Sequence, residues 1–384
     1  MAVVEWLLDA DPAVRWQVLQ DLTDEPAEVV ADERSRAAVE GWGARLLALQ
    51  GADGHWGTEV VDHVTVPAEG PLPNVADRRL LREAIGVPPQ RLAAWMDLAP
   101  ETIADWESSP QGPDGEDRER YRAVLTWMRS AMGTFFPAWT STFFTLTLLR
   151  DLGLDPTSEA ARRSVALVRD NSRWDAGGQP FFSGEVEPCI NGRVVGVGAY
   201  FGQDVDGVVD RLLGEQLADG GWNCEAANGS TRSSFHTTIC VLEGLLEYEQ
   251  AAGSAAEVTE ARLQGEEYLL ERRLLRRRSN GEVIDPTWTL AAFPTWWHYD
   301  VLRSLDHLRR AGTAPDPRCS EAVELIASKR DDDGRWPLEH QHAGRTHLDF
   351  GEEVGSPSRW ITLRALRVLS WYDHPDEQQL GGTG

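Results

Sequence analysis

The heptapeptide Gln50-Gly-Ala-Asp-Gly54-His-Trp56 returns as Gln216-Leu-Ala-Asp-Gly220-Gly-Trp222. A third copy, Arg330-Asp-Asp-Asp-Gly334-Arg-Trp336, keeps the spacing with arginine in place of glutamine. Weaker echoes stand at Asp170-Asn-Ser-Arg-Trp174 and Arg277-Arg-Ser-Asn-Gly281-Glu-Val283. A recurring unit constrains architecture more than local propensity does, because each repeat buries its apolar face only against its neighbours. Every copy ends one segment of helical period and precedes another, so each reads as a turn joining two helices. Glycine allows the tight turn, and the indole can pack between repeats.

Around these turns two kinds of helix alternate. Residues 33–50, 158–170 and 257–272 are amphipathic and charged, whereas 139–149, 190–201, 235–246, 296–308 and 360–371 are apolar on most sides. A helix that is apolar all round is buried. A short first pair at 3–8 and 13–22 completes six buried helices within a ring of amphipathic ones. The expected fold class is therefore all-α, an α6/α6 barrel over residues 1–59 and 137–373. The interval from Trp56 to Trp174 is more than twice that from Trp174 to Trp222, and the excess at 60–136 predicts a helical insertion. Its helices fall at 76–85, 89–96 and 119–132, with a linker at 109–117; a pocket lid and a homodimer contact are its two readings. Residues 374–384 read as a flexible tail.

Composition narrows the functional classes. The net charge of −25, with almost no lysine, argues against nucleic acid as a partner. No stretch approaches the roughly 20 apolar residues that span a bilayer, and no basic-then-apolar leader opens the chain. Cys189, Cys224, Cys240 and Cys319 show no disulfide-framework spacing, which favours reduced thiols and a cytoplasmic location.

The Gln-x3-Gly-x-Trp repeat resembles that of squalene–hopene cyclases, within the terpenoid cyclase and protein prenyltransferase toroids, across most of the chain outside the insertion. Ser234-Phe-His236-Thr-Thr-Ile-Cys240-Val-Leu-Glu-Gly244 is similar to the prenyltransferase β-subunit segment that supplies a zinc-binding histidine. The resemblance implies an α/α toroid around a central pocket for an isoprenoid. It departs where chemistry is expected. The protonating Asp-x-Asp-Asp motif has only Asp204-Val-Asp206-Gly207 and Asp331-Asp-Asp333 as echoes, both at turns. Where the zinc-binding Asp and Cys of prenyltransferases are expected, residues 194–200 offer glycine and valine.

Candidate site residues follow from helix register. Repeat turns lead into buried-helix N-termini, which gather backbone N–H groups that attract anions. Arg15, Arg193, Arg232, His236, His298 and Arg359 lie near those starts and suit a diphosphate or carboxylate head group, or else pair with nearby acids. Trp16, Trp139, Trp296, Trp297 and Trp360, with Tyr200 and Tyr299, occupy the same level, where indoles stabilise a carbocation or simply pack. Cys189, Cys224 and His236 form a candidate zinc set with an open fourth position. Asp300 and Glu243 are the candidate proton donors, as acids facing an apolar pocket. The expected function is a terpenoid-cyclase-like enzyme acting on a hydrophobic, anion-headed small molecule such as a prenyl diphosphate. The alternatives are a zinc-dependent prenyl or alkyl transferase and a non-catalytic toroid that binds a lipid or a partner.

Overall fold

The computed structural model describes residues 3–175, 177–253 and 255–374, so the expected tail lies outside the described residues apart from His374. The fold is all-α. Its only strands among the described residues are the two-residue antiparallel pair Trp336–Pro337 and Pro357–Ser358. Before the expected insertion stand α1 (Val3–Leu8), α2 (Pro12–Leu22), α3 (Ala27–Arg36) and α4 (Gly41–Ala48). The segment expected as an insertion holds α5 (Val75–Ala84), α6 (Pro89–Trp95), α7 (Thr102–Trp106) and α8 (Gly115–Ser130). After it come α9 (Thr142–Asp151), α10 (Glu159–Asn171), α11 (Pro188–Tyr200), α12 (Asp206–Gly214) and α13 (Phe235–Ala252). The chain ends with α14 (Ala256–Leu270), α15 (Val301–Arg310), α16 (Ser320–Ala327) and α17 (Arg359–Asp373). No described helix is long and apolar enough to cross a membrane.

The repeat turns are built alike because each tryptophan makes the same bonds. Trp56, Trp222 and Trp336 are fully buried and donate Nε1–H to the carbonyls of Leu46, Leu212 and Ile326, each at 2.7 Å. Their backbone N–H groups reach the hydroxyls of Thr142 in α9, beyond α5 to α8, and of Thr238 and Thr362 in α13 and α17. The glutamine adds a second tie: Gln50 bridges Gly54 to Ser164 of α10, and Gln216 bridges Gly220 to Ala261 of α14. In the third copy Arg330 lies over the Trp336 ring at 5.6 Å instead. The echo at Trp174 differs, since its indole donates to Phe181, further along the chain.

The six buried helices α2, α9, α11, α13, α15 and α17 are neighbours in sequence order; α15, expected to be apolar, is buried but carries Arg303, Asp306, His307, Arg309 and Arg310. α11 packs between α9 and α13, α15 between α13 and α17, and α17 against α2. Trp16 and Gln17 of α2 then donate to the carbonyls of Leu152 and Asp151 at the end of α9, so the succession returns to its start. The closest approach is α11 on α13: a Cβ on Gly244 would stand 2.0 Å from the Gly192 carbonyl, so only glycine fits. That contact places Arg193 beside Glu243.

Residues of the expected insertion gather a separate hydrophobic cluster from Val61 to Met132. Inside it Arg82 and Glu107 form a buried bidentate pair at 2.7 and 2.8 Å. Three expected helices are corrected, the first being 139–149, which starts only at Thr142 because Trp139 sits at φ +67°. The segment 33–50 is broken into α3 and α4, because Asp11 accepts from Ala13 and Trp42 and so ties both α2 and α4, with Gly41 at φ +69°. The segment 296–308 starts only at Val301, because Asp300 is the N-cap of α15 and Trp296 sits at φ +49°.

Candidate functional site

Two cavities engage the buried helices at opposite ends. The first, of about 300 Å³, lies at the N-terminal ends of α11 and α13. Its apolar wall includes Phe135, Phe143, Phe144, Ile190 and Trp297. Glu187 is the N-cap residue of α11 and Pro188 its first helical residue, which sets Cys189 in the first turn. Cys224 opens a short 3-10 helix directly after the second repeat turn, where Asn223 is pinned by its bonds to Glu225 N–H and the Arg232 carbonyl. A carboxylate oxygen of Glu187 and the two sulfur atoms lie within 4.8 Å of one another. Cys189 Sγ is 3.5 Å from Glu187 Oε2, and Cys224 Sγ is 3.4 Å from Thr237 Oγ1. The neighbouring Cys224 thiol, with burial, pushes Cys189 up, while the Cys189 thiol pulls Cys224 down, so Cys224 is the more readily deprotonated of the two.

His236 lines this pocket, but its Nδ1 accepts the backbone N–H of Tyr299 at 2.8 Å. Burial, then the charge of Arg303, lowers its pKa to about 4. The ring is therefore neutral with its proton on Nε2, which leaves no lone pair for a metal. Of the expected Cys189–Cys224–His236 set, the two thiols come together with a Glu187 oxygen as a group that could hold a metal ion, and His236 is not part of that group.

The second cavity, of about 460 Å³, is lined by residues toward the C-terminal ends of α2, α9, α13 and α15, by Arg193 and Tyr200 of α11, and by Trp360, Arg364 and Arg367 nearer the start of α17. Its walls are charged. Asp21 pairs with Arg367, Asp151 with Arg150, Glu247 with Arg310, and Asp306 with Arg309 and Arg364. Glu243 receives two bonds from Arg303, at 2.8 and 2.6 Å. Burial raises the Glu243 carboxyl, but Arg303, Arg193 and Arg150 outweigh it and hold it well below the usual range. Glu243 is an ionised counter-ion, which removes it as a proton donor. Asp300 is 5% exposed and its pKa is raised by burial, yet it lines neither cavity and its Oδ1 is spent accepting the Arg303 N–H.

The other expected residues scatter. Only Arg193 of the four arginines reaches either cavity, and it lines both. Arg15 is tied to Glu33 and the Ala10 carbonyl, Arg359 sits over Trp6, and Arg232 is exposed. Trp139 stacks on Trp296 with centroids 5.0 Å apart and donates to the Ala343 carbonyl. Tyr299 donates to the Leu274 carbonyl. His298 stacks between Trp297 and His342. Trp16, Tyr200 and Trp360 do line the charged cavity, Trp360 stacked on Phe293. The aromatic level expected around one pocket is divided between core packing and two different walls. Sequence reasoning missed the closeness of Glu187 to the two thiols and missed Phe135, Phe143 and Phe144 as a wall. The visible signal was Glu187-Pro-Cys189, a carboxylate and a thiol at a proline-marked helix start. No family model matches the sequence, and no curated protein does either.

Proposed function

We propose that the chain is an α6/α6 toroid of the terpenoid cyclase and prenyltransferase kind, acting as a zinc-dependent transferase of a prenyl or other alkyl group to a thiol. The toroid reading is supported by the closed succession of buried helices and by the recurring tryptophan turns. The observation that carries the function is the Glu187–Cys189–Cys224 group at the edge of an aromatic-walled pocket. Two thiols and a carboxylate are donors that zinc takes, and three of them leave a fourth tetrahedral position. Zinc bound there would hold an incoming thiol as the nucleophilic thiolate.

The remaining roles belong to this chain's own side chains. Phe135, Phe143, Phe144 and Trp297 bind the alkyl chain, and indole and phenyl faces favour positive charge developing on its reacting carbon. The thiolate sulfur bonds to that carbon as the carbon–oxygen bond to diphosphate breaks. The electron pair leaves with the diphosphate, and the thiol proton passes to solvent. The neutral His236 donates Nε2–H and Arg193 supplies positive charge at the same pocket. Cyclisation by protonation has less support, because Glu243 is ionised and Asp300 is a helix cap.

The test is incubation of the zinc-loaded chain with farnesyl diphosphate and glutathione, read by mass spectrometry. A thioether formed by the native chain and lost in Cys189→Ser and Cys224→Ser is the expected result. Zinc-loaded protein that forms no thioether across prenyl diphosphates of several lengths would overturn the assignment.

A further inference from the structure

The charged cavity at the opposite end of the buried helices has a different chemistry from the thiol pocket, and the ion pairs in its walls do not close. Each of its five carboxylates has its own arginine partner, Glu243 through Arg303, which stands behind the wall. Three lining arginines remain without a carboxylate of their own: Arg364 shares Asp306 with Arg309, and Arg34 and Arg193 are left. Arg34 is bonded only to neutral groups, the Gly153 carbonyl at 3.0 Å and the Tyr200 hydroxyl at 2.8 Å, with its guanidinium over Trp16. Arg193, 3% exposed, has no hydrogen-bond partner for Nε or Nη1 among the described residues. Its nearest acid oxygen, Glu243 Oε2, is 3.7 Å from Nη1 and already receives Arg303.

The other orphans agree in sign. Trp360 Nε1 and Arg367 Nε also lie on lining residues and lack an acceptor. Every buried polar atom left unpartnered on the residues lining this cavity is a donor; no acceptor is. Buried donors of this kind ordinarily find a partner, and Arg193 only shares the charge of Glu243 while its Nε and Nη1 make no hydrogen bond. The cavity lacks an acceptor that carries negative charge. The negative ends of α9 and α15 are offset by Arg150, Arg309 and Arg310 in their last turns, so the attraction for an anion comes from the arginine side chains and not from the helix termini. An isoprenoid chain would instead strip water from ionised walls without replacing the lost bonds.

We infer that this cavity binds a polar small molecule through a compact oxyanion carrying about two negative charges, a phosphate or a pair of carboxylates, with Arg193 and Arg34 as its cationic contacts. The volume of about 460 Å³ lies in the ordinary range for small-molecule sites. The assignment goes beyond the thiol pocket and does not depend on metal there.

The experiment is isothermal titration of the full chain with inorganic phosphate, inorganic diphosphate and succinate, at ionic strength matched with sodium chloride. One saturable site per chain is expected for at least one of them, the phosphate and succinate arms separating the two sources of the charge. Arg193→Gln should weaken binding at least tenfold, and Arg34→Gln provides the same reading should the first variant fold poorly. Cys224→Ser should bind the anion as the native chain does, so that loss of the transferase reading leaves this one standing. No saturable binding of any of the three anions would overturn the inference. So would native-like binding by both arginine variants, or binding abolished by Cys224→Ser, which would place the anion in the thiol pocket.

Discussion

The backbone N–H of Tyr299 ends on Nδ1 of His236, 2.8 Å away and from a segment that shares no helix with it. That bond fixes the tautomer of a ring lining the thiol pocket, and it predicts two different outcomes for two substitutions. His236→Gln keeps an acceptor within reach of Tyr299, and its zinc content should match that of the native chain. His236→Ala leaves a buried N–H unpaired and should cost about 1–3 kcal/mol in urea unfolding. If His236→Gln alone empties the site of zinc, His236 is a ligand and the tautomer argument fails.

The repeat tryptophans should behave as structural pins. Trp222→Phe removes one buried bond to the Leu212 carbonyl and should cost about 1–2 kcal/mol. Trp222→Ala also empties the space of a fully buried indole and should cost about 3–5 kcal/mol. Denaturant melts followed by circular dichroism measure both, and a difference below about 1 kcal/mol between the two variants would contradict the packing role.

Glycine at the α11–α13 contact is required by distance. Gly244→Ala should lower stability by about 1–3 kcal/mol or more, since its Cβ would collide with the Gly192 carbonyl. Gly207→Ala in α12 meets open space and serves as the control, with a neutral or slightly stabilising effect. Equal effects in the two variants, measured by thermal melting, would rule out the close approach as the reason for glycine.

How much of this was legible in the sequence depends on the range of the interaction. The turn at Gln216–Trp222 is visible because its glycine and indole act within one repeat, and the apolar stretches at 190–201 and 235–246 declare burial by composition alone. The site was less legible because its determinants are long-range. Nothing around Glu243 tells that Arg303 will neutralise it, and an acid on an apolar helix then reads as a proton donor. Trp296 to Tyr299 look like the first turn of a helix until Asp300 is seen to cap the helix after them. Arg34 gives no signal of its reach because it sits on the amphipathic, charged α3, yet it bonds Tyr200 at the end of α11. Cys189 and Cys224 were legible as a pair because each stands at a helix start on successive repeats.

Stability should depend on pH through buried neutral histidines. Burial is the first cause lowering His298 to about 3, His236 to about 4 and His342 to about 4. The unfolded chain binds these protons near pH 6.5, the folded chain only below about 4. The stabilisation is therefore complete above about pH 6.5 and is lost as the pH falls toward 4. The melting temperature should be flat above about pH 6.5 and decline below it, and His298→Gln should make the decline shallower. A slope between pH 4 and 6.5 that is unchanged in His298→Gln would show that this ring is not buried neutral.

The central claim is that Glu187, Cys189 and Cys224 hold a metal, and elemental analysis of the untagged chain tests it most directly. After equilibration with zinc and removal of the free ion, about one zinc per native chain should remain, since three protein donors with an open position make a complete catalytic-type site. Cys224→Ser should bring the content near zero while the protein stays folded, and Glu187→Gln should reduce retention without abolishing it. Native protein that is folded, fully reduced and retains no zinc after that treatment would contradict the account.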